Sequence, residues 1–412
     1  MTSTRSRPQE TAGAPAADRR PYLMLGMAAT GFALTFWAWA LLSPLGAHFK
    51  QSLGLTSFQQ ALLVAVPVIV GALGRIPVGA LTDRYGGRIM FPVVSFATIV
   101  PVLFLGLVGY RSLPALLAGG FFLGLAGTSF AVGVPFVSAW FPAERRGMAI
   151  GVFSLGMGGT AISALTTVKL TAHLGIQAPF LVVAGVLAVY SVAAALVLRD
   201  APGRLQGMMP SRPALSRLAS TLKLSITWQA AALYAVGFGG FVAFSVYLPT
   251  YLKNAYLLTQ ADAADKMAGF VLLAVLMCPV GGWLSDRVAP TRVLTGAFAV
   301  VAVAAIVQSL TPALVPVATA AFLVMAAALS AAVGAVFALA AQRAPAQQVG
   351  AVTGVVGAAG GLGGFVPPLV MGGIYGASGT YAWGLLALAA VAACAMIYSF
   401  STPSEPVRTR AA

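Results

Sequence analysis

The stretch Gly79-Ala-Leu-Thr-Asp83-Arg84 returns 203 positions later as Gly282-Trp-Leu-Ser-Asp286-Arg287. The same offset relates Phe141-Pro-Ala-Glu-Arg-Arg-Gly147 to Ala344-Pro-Ala-Gln-Gln-Val-Gly350. One offset that serves two separate motifs is difficult to obtain by chance. It indicates that the second half of the chain is a structural copy of the first.

The composition around these motifs is that of a membrane protein. The 412 residues are 59% hydrophobic and only 8% charged, whereas a soluble domain is about a quarter charged. A water-soluble globular protein is therefore excluded. A helix crosses a bilayer with about 20 apolar residues, and we predict twelve such spans. They cover residues 22–47, 57–81, 90–109, 113–140, 148–170, 178–198, 226–252, 263–284, 293–310, 313–341, 349–376 and 381–400.

The predicted fold class is an all-α membrane protein, with twelve transmembrane helices in two pseudo-symmetric six-helix bundles. A polar, basic stretch separates the two sets of spans. The domains we expect are a disordered cytoplasmic tail at 1–21, an N-terminal bundle at 22–198, a cytoplasmic linker at 199–225, a C-terminal bundle at 226–400 and a cytoplasmic tail at 401–412.

The net charge of +15 is an orientation signal. With both termini in the cytoplasm, 18 of the 24 lysines and arginines lie on the cytoplasmic side, and five lie outside. This is the bias of multi-pass membrane proteins. We therefore expect a lipid bilayer and no nucleic acid as the partner of the basic residues.

Motifs of enzymes and of metal sites are missing from the sequence. It contains no P-loop, no HExxH and no nucleophile elbow. Cys278 and Cys394 fall inside apolar runs, and His48 and His173 are far apart at predicted outer helix ends. We expect neither an enzyme nor a metal or cofactor. A channel fits repeated halves less well than a carrier does, and a non-transporting receptor stays open as an alternative.

Arg75 is the one charge placed deep inside a predicted span. It lies eight residues before Asp83, so about 12 Å from the cytoplasmic end of the helix. A charge near the midplane of the bilayer costs at least about 3 kcal/mol and suggests a functional site. No Asp or Glu lies in a span interior to pair with it. We expect Arg75 to bind an anionic ligand through its planar fork of donors; a snorkelling or carbonyl-bonded arginine is the alternative.

Longer stretches of the chain resemble a known family. GALTDRYGGR (79–88), and its repeat at 282–292, look like the signature loops of the major facilitator superfamily. FALTFWAWALLSPLG (32–46), GTSFAVGVPFVSAWFPAERRGMAIG (127–151), FGGFVAFSVYLPTYLK (238–253) and GAVTGVVGAAGGLGGFVPP (350–368) resemble its nitrate/nitrite porters. The resemblance implies a bacterial inner-membrane location.

The resemblance also implies a substrate pocket, part of which is altered here. Nitrate porters carry Arg75 within an Arg-Ile-Pro motif, and a second arginine at the repeat-related position, which is Cys278 in this chain. Asparagines of the family are replaced by Met157 and Val333, and Asn254, the one asparagine in the chain, falls in a predicted outer loop. The resemblance to the nitrate porters implies that the substrate-binding residues are Arg75, Phe130, Met157, Tyr234, Phe238 and Cys278.

Two further sets of residues follow from the same resemblance. The signature loops of the family latch helix ends during alternating access, which implies a switching role for Asp83, Arg84, Arg88, Asp286 and Arg287. The glycine-rich helices 5 and 11 are typical of closely packed helices that slide. The helix-packing set is Gly147, Gly151, Gly156, Gly350, Gly354, Gly357 and Gly361.

Together these features predict a secondary active transporter that moves a small, nitrate- or nitrite-like anion by alternating access. The alternative is a carrier of an organic monocarboxylate or other small metabolite, because Cys278 replaces the second pocket arginine. The expected partners are the small anion and the lipid bilayer, and we expect the protein to be a monomer.

Overall fold

The computed structural model describes residues 19–202, 221–345 and 349–401, without the side chains of residues 83, 143–144, 146–147, 286, 341 and 349–351. The tail at 402–412 and most of the predicted first tail and linker lie outside this description. The described residues form helices and no strands, as the predicted fold class requires. Twelve spans are long and apolar enough to cross a membrane: α1 (Arg20–Leu53), α2 (Ser57–Thr82), α3 (Gly87–Arg111), α4 (Leu113–Trp140), α5 (Met148–Leu174), α6 (Ala178–Val197), α7 (Ser225–Tyr256), α8 (Gln260–Ser285), α9 (Pro290–Ser309), α10 (Leu314–Ala340), α11 (Val352–Ser378) and α12 (Ala382–Ser401).

Several helices are longer than their predicted spans, α1 and α7 among them. α1 continues to Leu53 and α7 to Tyr256, because polar residues extend both helices beyond their apolar cores. The prediction that Asn254 lies in a loop is wrong for this reason. Asn254 lies in the last turn of α7, where its Nδ2 donates a hydrogen bond of 2.8 Å to the hydroxyl of Tyr381.

The repeated motif forms a tight turn between α2 and α3. Gly86 has a φ of 91°, a conformation that side chains disfavour, and its N–H donates to the carbonyl of Thr82 at 2.9 Å. The next helix begins directly at Gly87. This glycine therefore allows two antiparallel membrane helices to be joined without a longer loop.

Four helices of the N-terminal half are interrupted within the membrane. α1 is broken at residues 40–41, between Arg20–Trp39 and Leu42–Leu53. α2 is divided at Gly74 into Ser57–Leu73 and a second segment, Arg75–Tyr85, which continues three residues past the apolar span. α4 contains a 3-10 turn at Gly124–Thr128, and α5 contains another at Leu155–Gly158. Such turns often mark functional sites. The apolar pattern of these spans predicted uninterrupted helices.

The two halves pack together most closely at one end of the bundle. We call the end that carries residues 20 and 401 the terminus end, and the opposite end the distal end. Polar contacts join the halves at the distal end. They include Ser43 Oγ to the Val246 carbonyl (2.7 Å), Gln60 Nε2 to Thr250 Oγ1 (3.0 Å), Gln260 Nε2 to the Pro44 carbonyl (2.5 Å), and the Lys169–Asp265 ion pair (3.4 Å).

Glycines along the α2–α11 contact and at the terminus end show the same asymmetry. A Cβ added to Gly372, near the distal end, would collide with Ala61, and one added to Gly361 would collide with Ala72. A Cβ added to Gly354, nearer the terminus end, would meet no atom within 4 Å. The space between the halves therefore closes toward the distal end and opens toward the terminus end.

Candidate anion-binding site

Arg75 lies between the two halves, directly after the break at Gly74. Its side chain is 9% exposed. Its Nε donates to the carbonyl of Gly127 in α4 at 3.4 Å, and its Nη1 donates to the carbonyl of Gly357 in α11 at 3.0 Å. The guanidinium therefore bonds to the backbone of both halves, as in the carbonyl-bonded alternative. This arrangement leaves its role as an anion anchor a prediction.

Two phenylalanine rings cover the same guanidinium. Its central carbon lies 5.2 Å from the ring centre of Phe130 and 5.5 Å from that of Phe238. Phe130 belongs to α4 and Phe238 to α7, so each half supplies one ring. A cation over an aromatic ring is stabilised by about 0.5–2 kcal/mol, and most where water is excluded. The rings therefore help to hold the charge of Arg75 inside the membrane.

The 3-10 turn of α4 brings Gly127 to Arg75. A Cβ on Gly127 would lie 3.2 Å from Gly71 Cα and 3.2 Å from Trp39 Nε1, so glycine is needed for this approach of α4 to α2. Trp39 Nε1 donates to the carbonyl of Pro67 at 3.2 Å. Gly71, Gly127 and Trp39 form this approach of the two helices, and the sequence analysis did not identify them. The Gly-Leu-Ala-Gly run at 124–127, one turn before Phe130, is the signal that points to them.

Tyr234 lies behind the ring of Phe238. The two rings stack in parallel with centres 5.0 Å apart, and Phe337 packs edge-on against Tyr234 at 5.0 Å. Tyr234 is 1% exposed and lies within electrostatic range of both Arg75 and Cys278. A Cβ on Gly360 would collide with its ring, so α11 approaches the site closely here.

Cys278 and Met157 occupy different surroundings. Cys278 is partly buried in α8, close enough to Tyr234 to interact with it, and its carbonyl lies against Gly334 of α10. Met157 is buried in the 3-10 turn of α5 within the hydrophobic core. The structure thus brings Phe130 and Phe238 to Arg75 and stacks Tyr234 on Phe238, whereas no described contact joins Cys278 to the guanidinium. The described contacts do not join Met157 to it either.

The predicted switching residues lie at the terminus end. Arg84 stacks on Tyr85 with its guanidinium 5.2 Å from the ring centre, and Arg287 stacks on Trp283 at 4.0 Å. The backbone N–H of Arg88 donates to Asp200 Oδ1 at 3.2 Å. The side chains of Asp83 and Asp286 lie outside the described part of the chain, so their role stays a prediction.

The predicted packing glycines have two kinds of surroundings. A Cβ on Gly156 would lie 2.6 Å from Phe32 of α1, and one on Gly361 would collide with Ala72 of α2. Gly151, Gly354 and Gly357 face open space, with no atom within 4 Å of an added Cβ. An added side chain at these three positions would therefore meet no neighbouring helix, although the carbonyl of Gly357 bonds to Arg75. Gly147 and Gly350 belong to the positions whose side-chain surroundings are not described.

The charge of Arg75 has no carboxylate partner among the described residues. The ion pair found in this part of the chain joins Lys169 to Asp265 at the distal end. No group of three His, Cys, Asp or Glu that would hold a metal ion occurs among the described residues. The described contacts of Arg75 are with two carbonyl groups and two aromatic rings, which leave its positive charge unpaired.

Comparisons with known proteins agree on one family. Residues 28–368, and again 258–412, match the Major Facilitator Superfamily. A crystal structure of a bacterial homologue of the human lysosomal transporter Spinster, inward-facing and unoccupied, shares the fold with a TM-score of 0.73. Its sequence is 17% identical, and the match covers 93% of this chain and 97% of that structure.

Closer relatives are transporters named for nitrate and nitrite. The "Probable nitrate/nitrite transporter NarK2" of Mycobacterium tuberculosis (strain ATCC 25618 / H37Rv) is 47% identical over 92% of this chain and 95% of its own length. The "Nitrite extrusion protein" of Bacillus subtilis (strain 168) is 32% identical over 92% of this chain and 93% of its own. This chain therefore belongs to the major facilitator superfamily and, within it, to the nitrate/nitrite transporter family.

Proposed function

We propose that this protein carries nitrate or nitrite across the bacterial inner membrane by alternating access. The observation that supports this most directly is Arg75, a buried guanidinium between the two halves with no carboxylate partner in the described part of the chain. Placing a charge at that depth in the membrane costs free energy unless an opposite charge compensates it. An anion of one negative charge neutralises it.

The geometry around Arg75 suits a small planar anion. Guanidinium donors pair with the oxygens of such anions in a charge-assisted manner. An oxygen of nitrate or nitrite can take the place of the Gly357 carbonyl on Nη1, which lies 3.0 Å away. The flat faces of Phe130 and Phe238 then border the anion on either side. The names of the relatives point to the same two anions.

The asymmetry of the bundle supports alternating access. The distal end is joined by polar contacts between the halves, whereas glycines of α5 and α11 face open space toward the terminus end. With the termini in the cytoplasm, this arrangement opens inward. Outward opening then requires that the contacts of Ser43 and Gln60 break and that the glycine faces of α5 and α11 close.

Exchange of labelled nitrate in proteoliposomes at equal pH on both sides tests the transport proposal. We expect saturable exchange without an imposed pH gradient, because no Asp, Glu or His lies in a span interior to relay protons. Liposomes without protein are the control. Exchange of an organic monocarboxylate but not of nitrate or nitrite would contradict the substrate assignment, and exchange that requires a proton gradient would contradict the coupling.

Thiol labelling tests alternating access. We place Thr250→Cys at the closed distal contact, where Thr250 is 1% exposed, and Gly354→Cys at the open terminus end. Both are made in a variant with Cys278 and Cys394 replaced by serine that still exchanges anion. We expect nitrate to change the two labelling rates in opposite directions. Rates that rise or fall together indicate a general loosening of the fold and argue against alternating access.

We further propose that Asp83, Arg84, Arg88, Asp286 and Arg287 act in switching. They lie at the terminus end, where Arg84 and Arg287 stack on neighbouring aromatic rings rather than face Arg75. Asp83→Asn is expected to lower the maximal exchange rate by about tenfold or more, with anion affinity changed less than about threefold, because the residue lies about 12 Å from Arg75 along α2. A large loss of equilibrium binding at a normal exchange rate would be inconsistent with this role.

A further inference from the structure

The protein itself offers partners to Arg75: two of its five N–H donors bond to carbonyls, and two rings lie over the guanidinium. Of its four close partners, the Gly127 carbonyl and the Phe130 ring come from the N-terminal half, and the Gly357 carbonyl and the Phe238 ring come from the C-terminal half. Buried charges are tolerated when polar groups of this kind surround them. Arg75 can therefore stay inside the bundle without an anion.

The space beside Arg75 is narrow in this arrangement, although the bundle opens toward the terminus end. The cavity beside Arg75 is lined by Trp39, Ala72, Phe238 and Gly361, among others, and has a volume of about 10 Å³. This volume is sufficient for about one water molecule. Nitrate is larger and does not fit. The halves can therefore meet around Arg75 while the Gly357 carbonyl occupies the bonding position that an anion would take.

The C-terminal half adds no second positive charge to this site. The position related to Arg75 by the repeat is the neutral Cys278, which lies near Tyr234. Two guanidinium groups in one small buried site would repel each other, and closure would then require an anion between them. One guanidinium with carbonyl partners in both halves imposes no such requirement.

A carrier performs strict exchange when its site closes only around a substrate. If the site also closes without one, the carrier returns unloaded and produces net transport. We propose that this protein catalyses net, electrogenic anion flux at a rate comparable to exchange, because the carbonyl of Gly357 replaces the anion on Arg75 when the site empties. This inference rests on the proposed transport of nitrate or nitrite.

The experiment compares two efflux rates from the same nitrate-loaded proteoliposomes. Potassium with valinomycin holds the membrane potential at zero. The outer solution contains either nitrate, for exchange, or an impermeant anion, for net efflux. We expect net efflux within about tenfold of exchange, a ratio that corresponds to about 1.4 kcal/mol between the loaded and unloaded return steps. If exchange occurs and net efflux is at least about 100-fold slower than exchange, the inference is overturned.

Variants at Cys278 test the physical cause. Cys278→Arg is expected to lower the ratio of net efflux to exchange by about tenfold or more, because the unloaded site then holds two like charges. Cys394→Ser, a neutral change at the exposed cysteine of α12 outside the site, is the control and should retain the parent ratio. An unchanged ratio in a folded Cys278→Arg protein contradicts the proposed cause, and if that variant does not fold, the parent ratio alone decides. Absence of both fluxes in the parent protein contradicts the proposed transport function itself.

Discussion

Arg75→Ala is expected to abolish anion transport while the protein still folds and inserts. The substitution removes the positive charge between the halves and both of its hydrogen bonds, to Gly127 and Gly357. Hydrogen bonds to charged groups contribute about 1.5–3 kcal/mol each, so two bonds to an anion correspond to a loss of affinity of about 100-fold or more. Nitrate exchange in proteoliposomes should fall to background, with expression and thermal unfolding close to those of the parent.

Arg75→Lys separates geometry from charge. Lysine keeps the positive charge but presents a single ammonium group in place of the planar fork, so we expect transport to fail in this variant as well. Arg111→Ala is the matched control, since Arg111 is exposed and its guanidinium stacks on Tyr110 at 5.6 Å. Undiminished exchange in Arg75→Ala would exclude this residue as the anchor, and full activity in Arg75→Lys would show that charge alone suffices.

The importance of Arg75 could be predicted from the sequence because charge and hydropathy are local properties. A guanidinium inside an apolar span, eight residues before Asp83, has few structural explanations. Its partners were not predictable in the same way. The carbonyls of Gly127 and Gly357 belong to the backbone, which every residue carries, and only the fold decides which of them lie near Arg75.

The twelve spans were predicted well for a related reason, and their irregularities were not. Hydropathy reports how long a segment stays apolar, so it predicts where a helix crosses the membrane. It does not report the break at Gly74 or the 3-10 turn at Gly124–Thr128, which arise from contacts with neighbouring helices. These irregular positions place Arg75 and Gly127. The finest details of the site therefore depend on tertiary packing.

The resemblance to the family supplied residues that charge and hydropathy alone would miss. Phe130, Phe238 and Tyr234 look like ordinary apolar or aromatic members of their helices, and in the structure they surround or approach Arg75. Met157 is a position at which assigning a role from the family resemblance has little support in the structure. It is buried in the core of the N-terminal half, and the described contacts do not bring it to the guanidinium. Its role in binding stays a prediction.

Cys278→Arg is expected to increase nitrate affinity and to lower the stability of the protein without nitrate. A guanidinium at this position would approach Tyr234, which is already within electrostatic range of Arg75. Two guanidinium groups offer twice the donors to one anion. Without an anion they repel each other and lose hydration on burial, which costs several kcal/mol in real proteins. The substitution thus makes stability depend on the ligand.

Thermal unfolding of the parent, Cys278→Arg and Cys278→Met, each with and without nitrate, tests this expectation. Binding to the folded state adds stability by mass action, about 2.7 kcal/mol at a ligand concentration 100 times Kd. Nitrate should therefore raise the unfolding temperature of Cys278→Arg by more degrees than that of the parent. Cys278→Met adds length without charge, so a large nitrate shift in that control would attribute the effect to side-chain size. If nitrate stabilises none of the three proteins, the anion is not nitrate. An organic monocarboxylate then becomes the ligand to test, because a neutral Cys278 leaves more room beside Arg75 than a second arginine would.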